Sequence, residues 1–231
     1  MIQLITPKWF YSDDVIMGII SIFVLCLIGF FSMKYYKLEK KNKNYLFLAL
    51  SFFLIALSFL AKVLMNFTII YKLPVTRYLG PYMLTYQAVR TSDILFYGGY
   101  LVHRLLMLIG LYVLYSIHQK SQSKSNIFLI TFFIFVSTYS SQSAYYIFHL
   151  TALAILSIIS AQFYLTYKKN RELTTKLLAL SFGVIALSQV SFMFAGFKED
   201  FYVIGDVIQL LGYLILLTAF IRVLQNAKKK G

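Results

Sequence analysis

The chain contains seven apolar runs, each long enough to cross a lipid bilayer as an α-helix. They lie at about 15–36, 45–71, 95–117, 123–140, 144–166, 174–197 and 201–225. A helix rises about 1.5 Å per residue and a hydrocarbon core is about 30 Å thick, so roughly 20 apolar residues suffice. The residues are 60% apolar and 13% charged, which gives more apolar surface than a water-soluble domain of this length can bury. The sequence predicts an all-α polytopic membrane protein whose seven transmembrane helices form a single domain, residues 1–231.

Basic residues are concentrated in alternate connections between the apolar runs. Fifteen lysines and arginines lie on one side, in connections 1, 3 and 5 and in the tail, and five lie on the other side. The positive-inside rule therefore places the N-terminus outside and the C-terminus in the cytoplasm of a cell membrane. The net charge of +14 is explained by this orientation in the lipid bilayer, and no binding to nucleic acid is expected. The abundance of Lys, Asn, Ile and Phe suggests an AT-rich prokaryotic genome.

Part of the sequence is repeated. Residues 48–58 read LALSFFLIALS and residues 178–188 read LALSFGVIALS, with nine of eleven positions identical. A basic segment precedes each copy, KKNK at 40–43 and KKNR at 168–171. We interpret the region of about 15–117 as duplicated in about 144–225, with the helix at about 123–140 as linker. A three-helix unit followed by one linker helix restores the same direction, so the repeat is parallel and its pseudo-twofold axis follows the membrane normal.

This three-plus-one-plus-three layout resembles the SWEET and PQ-loop transporters and, more loosely, the microbial opsins. The resemblance covers the whole chain and concerns architecture. No proline lies within any predicted span, since the three prolines are Pro7, Pro74 and Pro81; the proline hinges of the transporter families are therefore missing. No lysine lies between Lys198 and Arg222 in the seventh span, so retinal is not expected, and we predict no cofactor.

Ionisable residues occur inside the predicted spans, where each costs roughly 2.5–3.5 kcal/mol on insertion scales. The repeat aligns Arg104 in the third span with Asp206 in the seventh. Equivalent positions lie at similar depth on opposite sides of the axis, so we predict that these two charges pair, either as a structural ion pair or as part of a site. Tyr202, Asp206, Gln209 and Tyr213 are spaced so that they form one polar stripe on the seventh helix.

Most of the intramembrane polar residues lie in the predicted outer half. As ligand-binding candidates we take Arg104, Asp206, Lys62, Gln189, Gln209, His103 and His149. Simpler roles are open for several of them: Lys62 can snorkel outward, and the two histidines can serve as interhelical hydrogen-bonding groups. Asp13 and Asp14 are interpreted as helix N-caps. The histidines do not form a metal-binding set and no nucleophile elbow is present, so we predict neither a metal site nor an enzyme.

These observations favour a small-solute transporter or facilitator with a polar cavity in the outer half of the membrane. Because Lys62 and Arg104 outnumber Asp206 there, the expected solute is small and anionic or zwitterionic. The alternative is a ligand sensor, or an accessory or structural membrane subunit, that acts through a membrane or cytoplasmic partner protein. The absence of proline hinges favours this alternative.

Overall fold

The computed structural model of the protein describes residues 7–38, 43–68, 72–79, 82–89, 93–117 and 124–230. Over these residues the chain forms seven α-helices, a short 3-10 helix (Lys8–Phe10) and a β-hairpin. The helices are α1 (Tyr11–Leu38), α2 (Lys43–Thr68), α3 (Asp93–Ser116), α4 (Lys124–Ser140), α5 (Tyr146–Asn170), α6 (Leu173–Phe194) and α7 (Asp200–Lys230). The hairpin lies between α2 and α3. The prediction of a seven-helix membrane protein is confirmed.

Six of the described helices are long and apolar enough to cross a bilayer, and α4 is shorter. The apolar part of α4 covers Ile127–Ser140, which spans only about 21 Å at 1.5 Å per residue. The corresponding apolar run, at about 123–140, is also the shortest of the seven in the sequence. A helix of this length needs a locally thinned bilayer or snorkelling flanks to span it.

Helix packing divides the bundle into two groups of three, joined along two seams. Within the first triplet (α1–α3), α2 packs against both α1 and α3. Within the second triplet (α5–α7), α6 packs against both α5 and α7. The triplets touch where α1 meets α7 and where α3 meets α5, and α4 packs on α3 and α5. Apart from the contacts of α4, exchanging α1, α2 and α3 for α5, α6 and α7 reproduces this pattern, so the packing is consistent with the predicted duplication.

The closest helix crossings involve two glycines at equivalent repeat positions. A Cβ on Gly110 of α3 would lie 2.7 Å from the Ile55 side chain and 3.1 Å from the Ser51 carbonyl of α2. A Cβ on Gly212 of α7 would meet the Ile185 side chain of α6 and lie 3.3 Å from the Ser181 carbonyl of the same helix. Small residues allow membrane helices to approach closely. Both triplets therefore use the same crossing, again consistent with duplication.

The serines of the repeated segment are satisfied within their own helices. Ser51 and Ser58 donate to the carbonyls of Leu48 and Ile55 at 2.8 Å each. Their counterparts in α6, Ser181 and Ser188, bond in the same way to Leu178 and Ile185 at 2.9 and 2.7 Å. Such bonds hide hydroxyl groups inside a bundle without requiring a partner on another helix.

The connection between α2 and α3 forms two antiparallel strands, β1 (Lys72–Leu79) and β2 (Tyr82–Val89). They pair in register from Lys72 opposite Val89 to Leu79 opposite Tyr82. The sequence places this segment outside the membrane but does not predict its strands. A hairpin satisfies its inner backbone hydrogen bonds internally, which suits a segment next to the apolar part of a bilayer.

Candidate functional site

Three ionisable side chains from three helices meet near the end of the bundle at which α1 and α7 begin. The Nζ of Lys62 on α2 lies 2.8 Å from Oδ1 of Asp14 on α1 and 3.4 Å from Oδ1 of Asp206 on α7. Both carboxylates are buried, and the lysine side chain is 16% exposed. We call these three residues the ionic cluster. Its Lys62–Asp206 ion pair joins the first triplet to the second.

Aromatic rings complete the surroundings of the Lys62 ammonium. The Tyr202 hydroxyl donates to Oδ1 of Asp14 at 3.0 Å. The Nζ of Lys62 lies 5.4 Å from the ring centre of Tyr202 and 6.0 Å from that of Phe59. Aromatic faces attract cations at such distances. Two carboxylates and two aromatic rings thus surround the ammonium. All of them belong to helices that are long and apolar enough to cross a membrane.

The ionic cluster has one unmatched negative charge and one unsatisfied oxygen. Two carboxylates face a single ammonium, so the formal net charge is −1 when all three groups are ionised. Among the described residues, the buried Oδ2 of Asp206 has no hydrogen-bond partner. A buried charge without compensation is costly, because water no longer solvates it. One additional positive charge at Asp206 would therefore make the ionic cluster neutral.

The predicted pairing of Arg104 with Asp206 is wrong. The buried guanidinium of Arg104 donates to the Ser141 carbonyl at 2.5 Å and to the Tyr100 hydroxyl. The physical reason is the neighbourhood of each helix. Helix α3 packs against α2, α4 and α5, whereas α7 packs against α1 and α6. Equivalent positions in the repeat therefore point to different neighbours, and each charge takes the partner that its own neighbours offer.

Arg104 stabilises the end of α4. Ser141 directly follows the last residue of α4, where carbonyl groups lack helical partners and the helix dipole is negative. The Cζ of Arg104 also lies 3.6 Å from the ring centre of Tyr100 and 5.4 Å from that of Phe148. Stacking and two hydrogen bonds thus compensate this cation without a carboxylate.

Two further interpretations concerning the ionic cluster need correction. Lys62 does not snorkel outward, since its ammonium reaches the two buried carboxylates. Asp14 is not a simple N-cap: it lies within α1, is 1% exposed and binds Lys62. The signal that would have found it is the buried face of α1. Gly18, Ser21 and Leu25 follow Asp14 at helical spacing and are also buried, so Asp14 belongs to that inward face.

The two predicted histidines bond to neighbouring helices. The Nδ1 of His103 on α3 donates to the Ser58 carbonyl on α2 at 2.8 Å. The Nδ1 of His149 on α5 donates to Oε1 of Gln189 on α6 at 2.9 Å. A carbonyl oxygen only accepts, so Nδ1 carries the proton in the His103 bond. Both contacts agree with the interhelical role left open by the sequence.

The remaining candidate amides also bond away from the ionic cluster. The Nε2 of Gln189 donates to the Ser188 hydroxyl at 3.2 Å. The Nε2 of Gln209 donates to the Tyr213 hydroxyl one turn further along α7, at 3.4 Å. Of the seven candidates, the structure brings together Lys62 and Asp206 and joins His149 to Gln189.

A cavity of about 320 Å³ lies between the two triplets at the end opposite the ionic cluster. Residues from α1, α2, α3, α5, α6 and α7 line it. Its walls are mostly apolar, as at Phe52 and Phe163, with polar groups at Ser32, Tyr35 and Asn44. This cavity differs from the predicted one, which was polar and lay in the outer half.

An exposed ion pair near the ionic cluster provides a contrast. The Nζ of Lys198, which lies between the spans of α6 and α7, is 2.7 Å from Oδ2 of Asp200 at the start of α7, with 70% and 54% of the two side chains exposed. The hydrogen bond to Asp200 and its negative charge raise the pKa of Lys198. Because both groups are solvated, this pair adds little to stability, and Asp200 serves below as a control carboxylate. Within the described part of the chain, no three His, Cys, Asp or Glu residues lie close enough together to bind a metal ion.

Comparisons with protein-family models, with curated proteins and with solved structures found no match to this chain. The fold and the site therefore define the class of the protein: a polytopic helical membrane protein with a buried ionic cluster between its helices. The resemblance to SWEET and PQ-loop transporters and to opsins stays a prediction about architecture.

Proposed function

We propose that the protein is a small-solute transporter or facilitator in which the two triplets move against each other about the axis between them. One observation carries the proposal: the triplets are bonded across the Lys62–Asp206 ion pair at one end and separated by a cavity at the other. Alternating access requires a solute path that is closed at one end while the other end admits solute, and this arrangement supports the proposal.

The cavity suits a solute of metabolite size. Ligand sites in proteins commonly occupy about 300–1,000 Å³ and combine apolar walls with a few polar groups. The cavity, at about 320 Å³, is at the lower end of that range, and polar residues such as Ser32, Tyr35 and Asn44 are among those that line it. These groups hydrogen-bond without carrying charge.

The charge balance argues against a purely anionic solute. That expectation rested on Lys62 and Arg104 facing the solute path. Lys62 is engaged by two carboxylates and Arg104 by the end of α4. We therefore propose a neutral or zwitterionic solute.

The test measures the flux of small solutes into proteoliposomes, electrically and with radiolabel. The purified chain is reconstituted and challenged on a solid-supported membrane with a panel of small sugars, amino acids, organic anions and organic cations, and uptake of any active class is confirmed with radiolabel. We expect uptake of at least one neutral or zwitterionic compound. Val223→Trp should abolish it, because Val223 lines the cavity and the larger side chain would occupy part of its volume.

The matched control is Ile221→Trp, which places the same ring on the same helix at an exposed position. This variant should transport normally. If a folded, inserted protein moves no member of the panel, the transport proposal is wrong and the sensor or accessory-subunit alternative stands. Equal loss of uptake in both tryptophan variants would show that the cavity is not the path.

A further inference from the structure

We propose that Asp206 binds a proton at its Oδ2 and that this proton controls the bond between the two triplets. The proton comes from bulk water and forms an O–H bond on Asp206, whose charge changes from −1 to 0. Lys62 remains an ammonium and Asp14 a carboxylate, so the net charge of the ionic cluster changes from −1 to 0. The existence of this site is independent of transport; only its role as a coupling site depends on the proposed function.

The charge balance supplies the reason for binding. In the ionised state, two buried carboxylates share one ammonium, at 2.8 and 3.4 Å. The second oxygen of Asp206 is buried and has no partner among the described residues. One added positive charge at that oxygen neutralises the cluster, which an apolar environment favours.

Asp206 is a better proton acceptor than Asp14. Asp14 lies in the first turn of α1, where the helix dipole stabilises a negative charge. It also accepts from Lys62 over the shorter distance and from the Tyr202 hydroxyl at 3.0 Å. Asp206 has the longer ion pair and the unsatisfied oxygen. The two carboxylates therefore have different roles: Asp14 stays ionised and pairs with Lys62, and Asp206 binds and releases the proton.

A proton fits the site better than a metal ion does. Alkali and alkaline-earth cations need several oxygen ligands around them. Within the described residues no cluster of three acidic, histidine or cysteine side chains is available, and the only other carboxylate of the cluster already binds Lys62 and Tyr202. A proton requires a single oxygen.

Few groups that could titrate lie around Asp206. The charged groups that act on it are Lys62 on α2 and Asp14 on α1, and Tyr202 and Tyr213 lie on its own helix, α7. Helix α6, which packs against α7, carries Lys176 in its first turn, at the other end of the bundle. His103 on α3 and His149 on α5 lie toward Lys62. His103 and His149 each already bond through Nδ1 to another helix. Asp206 is thus the group whose protonation removes the ion pair between the triplets.

Protonation would weaken that bond. The Lys62–Asp206 contact is an ion pair only while the carboxylate is charged, and neutral Asp206 no longer attracts the ammonium by charge. Lys62 can then rest on Asp14, within its own triplet. Proton binding therefore favours separation of α2 from α7 at the end that is closed in this structure, which would couple proton entry to opening there.

Infrared difference spectroscopy of the full chain in lipid nanodiscs tests the site without any solute. A protonated carboxyl group gives a C=O stretching band that is absent from the carboxylate. We expect one buried carboxyl band to appear as the pH is lowered in the wild type and in the control Asp200→Asn. It should be missing in Asp206→Asn and present at a shifted frequency in Asp206→Glu, which also serves if the asparagine variant fails to fold.

Four results would overturn the proposal. An unchanged band in Asp206→Asn would assign the proton elsewhere, and loss of the band in Asp14→Asn alone would assign it to the other carboxylate. Disappearance of the band when sodium replaces choline at constant pH would identify a metal cation as the ligand. Because no solute is present, the proton site can be confirmed in a protein that shows no transport. Solute uptake by a protein that shows no carboxyl band would refute the proton site and would mean that the protein is a facilitator without proton coupling.

Discussion

Replacing Lys62 with methionine should be the most damaging single change in the ionic cluster. Methionine retains most of the apolar stem but removes the ammonium that lies 2.8 Å from Asp14 and 3.4 Å from Asp206. Two buried carboxylates then face each other without a counter-ion. Removing one partner of a buried ion pair costs about 3–5 kcal/mol. The loss of cation–π contact with Tyr202 and Phe59 adds about 0.5–2 kcal/mol, so we expect at least about 3.5 kcal/mol in total when both carboxylates are ionised.

The second substitution tests the cause of this loss. Adding Asp206→Asn to Lys62→Met removes one of the two stranded charges, and the remaining carboxylate, Asp14, keeps the Tyr202 hydroxyl and the start of α1. The double variant should therefore be more stable than Lys62→Met alone. In a double-mutant cycle, the coupling between Lys62 and Asp206 should be about 0.5–3 kcal/mol.

Unfolding in mixed micelles, followed by circular dichroism as the fraction of dodecyl sulfate rises, measures these differences. The control is Lys37→Met, at an exposed position in the last turn of α1, which should unfold at the wild-type detergent fraction. If Lys62→Met matches this control, or if Asp206→Asn makes the lysine variant less stable, the ionic cluster does not hold the helices together as argued.

Three further changes separate the packing from the charges. Gly212→Ala should destabilise the bundle by about 1–3 kcal/mol, because the new Cβ meets the Ile185 side chain and two backbone atoms of α6. The control Gly98→Ala, where nothing lies within 4 Å of the new Cβ, should not change stability. Equal melting temperatures for the two variants would refute the close crossing. Arg104→Met should cost about 1.5–3 kcal/mol, because it leaves the carbonyl after α4 without its donor, and limited proteolysis should then cut between α4 and α5 sooner than in the wild type. Asp200→Asn should lower the pKa of Lys198 toward its ordinary value without changing the unfolding transition, and a stability change would mean that this exposed pair matters.

The spans and the repeated segment could be predicted because they are encoded along the chain. The length of an apolar run limits whether it can cross a bilayer, and this property is local. The match between 48–58 and 178–188 likewise needs no knowledge of packing. The equivalent crossings at Gly110 and Gly212 depend on packing, and only the structure shows them.

The partners of the buried charges could not be predicted from the alignment of the repeats. Alignment places Arg104 and Asp206 at equivalent positions, but equivalence sets depth and not contact. The contact depends on which helices are neighbours, and α3 has α4 beside it while α7 has α1. Asp14 was missed for a related reason. An acidic residue in the first turn of a helix has a sufficient local explanation, and only the rotation of α1 shows that it faces inward.

The two seams between the triplets differ in chemistry although the repeat relates them. Where α1 and α2 meet α7, the contact is ionic, from Lys62 to Asp206. The counterpart of Lys62 in the second copy is Phe192, which stacks on His149 with ring centres 5.1 Å apart. The counterpart of Asp206, Arg104, is held by α4. Neutralising a carboxylate therefore weakens one seam and leaves the other intact. A symmetric pair of ionic seams would let the triplets fall apart on protonation, whereas this asymmetry allows one seam to open while the other stays closed.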